Sequence, residues 1–544
     1  MKAIHGHRAR LLALAGAALL ALAGCSGSDG ADGAAGPAGP SGATGAGGVN
    51  CWDLNQNGVA DAATEDRNAD GRVDVEDCRP AVAASQAEAM HARYFTDKTY
   101  AGAQSCLDCH GRIGDDFMRT AHWKWEGVAT NVVGAESGIH GKNDLLNNFC
   151  IAVPSNEGRC VQCHAGYGYA DASFDFQNPK NIDCLVCHDQ TGTYKKAQTL
   201  NGNPEPTVDL QAVARSVGKQ GGVPQREACL FCHTHAGGDD NVKHGDLSSD
   251  LKATTREFDV HMGTDGANLQ CVDCHAVKKD TAGRLVSHGI GGMPFHSTDE
   301  GAMKDCDDCH GDRAGIHAGT PAQQLVATHR RLACQSCHVP AIARKIATKM
   351  DWRWGDAGRD VNPLPVDPAT GRPTYDKKKG TFVWAKNVRP TLLFHAGSCN
   401  KTIIGVNDRY TALPTVLAKP AADWRDPTAM IHPFKKMTGN QPADRNNKTI
   451  LVPHLFGTKA GPNPYWAKFD WNLALQEGAL KAGQTYSGQY EFVDTVMYLS
   501  VNHEIAPKEK ALGKSCTDCH GGGAVDWAAL GWSGDPIAGT ATRR

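Results

Sequence analysis

Residues 181–196 read Asn-Ile-Asp-Cys-Leu-Val-Cys-His-Asp-Gln-Thr-Gly-Thr-Tyr-Lys-Lys. At the centre stands Cys184-Leu185-Val186-Cys187-His188, the spacing of a covalent haem c attachment motif. The two thiols add to the vinyl groups of a haem, and the next residue offers an imidazole to the iron. Lys195 and Lys196 close the stretch. An amine that gives up its proton also binds iron. Weaker ligation than two imidazoles leaves room for a substrate.

The pattern recurs along the chain. Of 21 cysteines in 544 residues, sixteen fall in eight copies of Cys-x-x-Cys-His. The attachment pairs are Cys106 and Cys109, Cys160 and Cys163, Cys184 and Cys187, Cys229 and Cys232, Cys271 and Cys274, Cys306 and Cys309, Cys334 and Cys337, and Cys516 and Cys519. The imidazoles that follow them are His110, His164, His188, His233, His275, His310, His338 and His520. A zinc site would match Cys pairs to other Cys or His pairs and would not need the unfailing final His. A disulfide scaffold fails on the same point.

Eight covalent haem c groups are therefore the expected cofactors. Aromatic residues are 7% and hydrophobic residues 41% of the chain, lean for a conventional core, so the haems are expected to form it. The fold expected is mainly α with extensive loops, a multihaem cytochrome c arrangement ending in long C-terminal helices. Phe492, Val493, Val496, Met497 and Val501 recur at near-helical spacing before His503. A formal net charge of -3 gives no reason to expect a nucleic-acid partner.

Before the haem domain the chain is modular. Residues 1–24 carry Lys2, Arg8 and Arg10 and then an apolar run too short to span a bilayer, as a signal peptide does. They end Leu22-Ala23-Gly24 before Cys25, which looks like a bacterial lipoprotein box with Cys25 as the lipidated residue. Residues 25–50 hold this anchor and a tether with Gly at every third place, collagen-like in period but short. Residues 51–80 read as a calcium-binding module resembling EF-hand and dockerin loops. Asp66, Asn68, Asp70, Arg72, Asp74 and Asp77 follow the loop spacing, and Asp53, Asn55, Asn57 and Asp61 form a weaker copy. A solvated acidic linker is the rival reading. Cys51 and Cys78 bracket the module and suit a disulfide. Residues 81–99 suit a helical lead-in, 100–523 the haem domain and 524–544 a tail.

The sixth ligand of each iron separates electron carriers from reaction centres. Of 24 histidines, eight lie in motifs and His5 and His7 in the signal. The remainder is enough to give every iron a second imidazole, so the count alone identifies no active haem. Apolar or Gly-flanked context favours His122, His244, His261, His296, His329, His432 and His503, with His140, His288, His317 and His454 in reserve and His91 weakest. No motif ends in Lys, so the pentahaem nitrite reductase pattern is not matched.

Several segments carry a more specific likeness. They include residues 141–150, Gly-Lys-Asn-Asp-Leu-Leu-Asn-Asn-Phe-Cys; residues 160–169; residues 181–196; Val242-Lys243-His244-Gly245-Asp246; Asp259-Val260-His261-Met262; residues 333–341; and Asn502-His503-Glu504. On these the chain resembles the octahaem tetrathionate reductase family. The resemblance implies seven bis-histidine haems and one catalytic haem on Cys160 and Cys163, with His164 on one side of the iron and a lysine from outside the motif on the other. Lys195 best matches that lysine and Lys196 is its alternative; a solvent-exposed pair after a turn is the rival reading. It also implies reduction of a small inorganic anion, tetrathionate or nitrite, or of hydroxylamine, fed by periplasmic or membrane donor cytochromes. A pure electron conduit and a hydroxylamine oxidoreductase-like enzyme stand as alternatives. Haem attachment outside the cytoplasm and the lipid anchor together suggest an exported lipoprotein at the outer membrane, on its periplasmic or cell-surface face; oligomerisation is left open.

Overall fold

The computed structural model describes residues 59, 61, 64, 84–130, 132–133, 138–279, 285–292, 302–396, 405–457 and 463–543. The signal segment, Cys25, the tether, Cys51, Cys78, His296, Cys399 and all the proposed calcium ligands except Asp61 lie outside them.

The first half is a string of short helical turns. The expected lead-in is helix α1, Ala84–Asp97. Its Phe95 packs with Tyr94, Tyr100, Val213 and Ala214. Helix α2, Gln104–Phe117, carries the first motif. The later motifs sit on turns such as Leu185–His188, Arg226–His233, Asp307–His310 and Cys334–His338. The local reason is geometric: cysteines three apart in a helical turn share a face, with the histidine just beyond.

The second half departs from the expected helices. Strands β1 (Thr348–Arg353), β2 (Tyr375–Asp376), β3 (Gly380–Ala385), β4 (Thr391–His395), β5 (Thr415–Ala418), β6 (Met430–Asp444) and β7 (Tyr490–Ser500) form one mixed sheet of seven strands. The order is β5-β7-β6-β1-β3-β2, with β4 also pairing β6. The long pair β6 and β7 is antiparallel, from Phe434 opposite Ser500 to Asp444 opposite Tyr490. β6 runs parallel to β1, and β5 parallel to β7.

The segment read as a C-terminal helix is therefore β7. Val493, Val496 and Leu499 are buried. A strand enclosed in a sheet shows an apolar run rather than clean alternation, which imitated helical spacing. Its β-branched and aromatic content is what the strand conformation favours. The longest helix in this half, α3 (Trp471–Lys481), has 11 residues. A mainly α fold with long C-terminal helices is thus corrected to short helices plus a mixed sheet. The sheet also has a protein core of its own, so haem is not the only interior of this chain. Trp352, Trp354, Phe382, Trp384, Tyr465, Trp471 and Val493 are buried together. The Trp352 and Trp354 rings stack at 4.8 Å, and those of Tyr465 and Trp471 at 3.9 Å.

Candidate haem centres and the atypical second motif

Two imidazoles on opposite faces of one metal, each bonded at about 2 Å, hold their ring centroids roughly 6 Å apart. Six motif histidines face a second imidazole at that separation. His110 faces His91 at 6.1 Å, His233 faces His122 at 6.2 Å and His310 faces His261 at 5.9 Å. His275 faces His503 at 6.0 Å, His338 faces His317 at 6.4 Å and His520 faces His329 at 6.3 Å. His188 lies in the electrostatic field of His288. The far ring nitrogens are held as metal-bound imidazoles require. Nδ1 of His188 donates to the Gly222 carbonyl at 2.8 Å, that of His275 to the Gly291 carbonyl at 2.8 Å, and that of His520 to Asp535 at 2.7 Å. Nε2 is left for iron in each. These residues fit the groups that the motifs call for.

The attachment thiols are ordered along the chain. Cys106 neighbours Cys184, Cys163 neighbours Cys232, Cys229 neighbours Cys271, and Cys306 neighbours Cys334, each within hydrogen-bonding reach. Cys187 also lies near Cys229, Cys274 near Cys309, and Cys337 near Cys519. Motifs one, three, four, five, six, seven and eight thus form a continuous series. The second motif branches from the fourth through Cys163, whose sulfur is 3.9 Å from the Cys232 carbonyl oxygen.

His164 of that second motif is unlike the other seven. Its ring is fully buried and enclosed by aromatic rings: Trp125 at 5.0 Å, Tyr169 at 5.1 Å, Trp123 at 5.2 Å, Phe174 at 5.3 Å and Phe176 at 5.9 Å. Nε2, the nitrogen that His188, His275 and His520 keep out of their protein contacts, donates to the Trp123 carbonyl at 2.6 Å. Burial pushes the imidazolium down to about 3, against the pull of the carbonyl, so the ring is neutral with its proton on Nε2. The close glycine Gly166 helps form this pocket, since a Cβ there would stand 2.8 Å from the His164 ring.

The two lysines of the 181–196 stretch separate sharply. Lys195 is exposed and Lys196 is fully buried. The Lys196 ammonium donates to the carbonyls of His164 and Gly166 and pairs with Asp183 at 3.1 Å. Asp183 in turn accepts from Tyr194 Oη at 2.5 Å. All three protons of Lys196 have acceptors, so it is a clamp beneath the second motif.

A third lysine has the opposite character. Lys243 lies in the field of Cys163, and its Nζ sits 5.3 Å over the Phe149 ring. Among the described residues no oxygen accepts from that Nζ. Burial first, and Lys142 second, push its ammonium down to about 8. Lys435, a buried neighbour on β6, donates to the carbonyls of Val242 and Lys243 and fixes the backbone there. Lys142 lies 4.1 Å over Trp125. Cys150, beside Cys160, has its thiol lowered to about 7 by Cys160 and by the cations Lys379, Lys142 and Arg159.

The crystal structure of an octahaem cytochrome c from Shewanella oneidensis is similar over 82% of this chain and 95% of its own, with 37% identity and a TM-score of 0.68. The chain belongs to the octahaem cytochromes c. A family model described as bacterial cytochrome c also matches residues 349–523 of this cytochrome, which include the whole sheet except Thr348. No curated protein matches it.

In this cytochrome, four expected distal histidines, His122, His261, His329 and His503, stand opposite motif imidazoles. His317 and the lightly weighted His91 do too. His432 instead neighbours His395 at 5.6 Å on the sheet. Nδ1 of His140 bonds Asp144 at 2.7 Å, and that of His454 donates to the Ser155 carbonyl at 2.7 Å. The apolar context that favoured His432 marks the interior of β6.

Proposed function

We propose that the cytochrome is a reductase of small inorganic anions, with its substrate site at the second motif and the other seven motifs as bis-histidine electron carriers. His164 carries the proposal: its Nε2, the nitrogen that His188, His275 and His520 keep for iron, is committed to the Trp123 carbonyl, and in this reading the ring is not the ligand. Lys243 takes its place, which replaces Lys195 and Lys196 as the ligating amine. Bound haem supplies an iron that takes up electrons singly and offers a coordination position.

The chain's own residues prepare that site for an anion. Lys243, already inclined to give up its proton, serves as a neutral amine and becomes a cation when it takes the proton back. Lys142 adds positive charge nearby. The aromatic enclosure of His164 keeps water from that side. The branch through Cys163 and Cys232 joins the site to the relay at the fourth motif. Tetrathionate and nitrite have the charge such a site favours, and hydroxylamine the size. The exported, lipid-anchored location, the calcium module and donor cytochromes belong to the same reading.

A plain conduit is the second reading, supported by Cys109 and Cys516 at the two ends of the series, both exposed. Electron paramagnetic resonance with and without nitrite decides between the two. The reductase reading expects one signal of eight to respond to nitrite, and loss of that response with turnover in Lys243→Met but not in Lys195→Ala. Eight unresponsive bis-histidine signals with no turnover select the conduit.

A further inference from the structure

We infer that the cleft walled by Arg159, Lys378, Lys379, Phe456 and Trp466 is the access route by which anions reach the second motif, and that it sorts substrates by charge. The inference rests on the reductase reading and adds what that reading leaves open, namely the preference for a doubly charged oxoanion.

The cleft has a volume of about 400 Å³. Arg159 directly precedes Cys160 in the chain, so one wall belongs to the second attachment site. Its guanidinium lies over Trp466 at 5.1 Å and Phe456 at 5.6 Å, and among the described residues it donates to the neutral Gln198 at 3.2 Å. Among the described residues no carboxylate pairs with Arg159 or Lys378. Lys379 has only Asp376, at 3.9 Å. Three cations thus face the cleft against one carboxylate.

The charge continues inward. Arg159, Lys379 and Lys142 all act on Cys150, whose thiol neighbours Cys160. Lys349 is buried with its Nζ 3.7 Å from both the Trp352 and Phe382 rings, and burial first and Lys379 second push its ammonium down against the pull of Asp239, so the lasting positive charge is that of Arg159, Lys379 and Lys142. Among the described residues no oxygen accepts from that Nζ either. Cations that outnumber the carboxylates beside them, between low-dielectric walls, focus potential along a cleft. The attraction scales with substrate charge. Tetrathionate, a dianion, gains most, nitrite less, and neutral hydroxylamine nothing.

The test uses the full haem-loaded protein and two independent variants, Arg159→Gln and the double Lys378→Gln/Lys379→Gln, with exposed Lys508→Gln as a control for net charge. Equilibrium dialysis with labelled thiosulfate reads dianion binding to the oxidised protein, and steady-state assays read KM for all three substrates. The expected result is weaker thiosulfate binding and a tetrathionate KM raised about tenfold, a smaller rise for nitrite, none for hydroxylamine and an unchanged kcat. Equal effects on all three substrates, or unchanged thiosulfate binding in both variants, overturn the inference. If the unaltered protein turns over none of the substrates, the reductase reading fails. Charge-dependent thiosulfate binding at the cleft would then still uphold the anion route, and its absence would overturn that too.

Discussion

At the scale of single residues, one hydrogen bond separates the second motif from its relatives. A carbonyl accepts from His164 Nε2, whereas His188, His275 and His520 use Nδ1 for their protein contacts. It follows that His164→Gln, in protein shown by mass spectrometry to retain haem on Cys160 and Cys163, keeps the ligand-field signature of that haem. A changed spectrum would return His164 to the iron. The reverse holds for His122, which faces His233. His122→Ala should convert one low-spin signal to high-spin in magnetic circular dichroism. Nothing in Val242-Lys243-His244-Gly245-Asp246 singles out the Lys243 amine. The role proposed for it rests on tertiary contacts, since among the described residues no oxygen accepts from its Nζ.

At the scale of elements, the pairing of β6 with β7 holds the second half together. Asp444 ends that ladder: its carboxylate accepts from the backbone N–H of Asn446 and Asn447, both at 2.8 Å, and of Ser487 at 2.6 Å. Burial pushes the carboxyl up, but these bonds outweigh it and leave it below the ordinary 3.8. Its contribution to stability is therefore present above that value and is lost as pH falls through the lower native one. Asp444→Asn should cost about 1 kcal/mol in denaturant unfolding at neutral pH, by leaving a part-buried donor short of an acceptor. The variant should also lose part of the acid dependence. Trp352→Ala, in the stacked core beneath the sheet, should cost about 3–5 kcal/mol in the same measurement. A near-zero effect would mean that the sheet draws its stability from bound haem.

For the whole molecule, the order of the thiols matters more than their number. The second motif touches the series through the fourth, so electrons bound for it must pass there. Stopped-flow reduction of His122→Ala should show slowed delivery to the nitrite-responsive haem, with reduction of the haems on Cys106 and Cys184 unaffected. In His329→Ala, altered at the far end of the series opposite His520, delivery from a donor acting at the first motif should be unchanged. Equal slowing in both would mean that the series is not the route.

The eight Cys-x-x-Cys-His motifs named the cofactor chemistry from sequence alone, because thioether attachment needs a fixed local spacing that a single helical turn supplies. Helix α1 was legible for a similar reason, in local composition, and His122, His261, His329 and His503, which stand opposite motif imidazoles, in their flanking residues. What remained hidden depends on contacts between distant segments. Pairing on both edges, with β5 and β6, turned residues 490–500 from an expected helix into a strand. The carbonyl of Trp123, 41 positions from His164, took that ring's proton. Backbone oxygens made Lys196 a clamp, and buried walls left the Lys243 amine over Phe149 with no oxygen acceptor among the described residues, neither of which any spacing encodes. Local covalent geometry is written in the order of residues, whereas which polar atoms find partners is decided only when the chain closes around them.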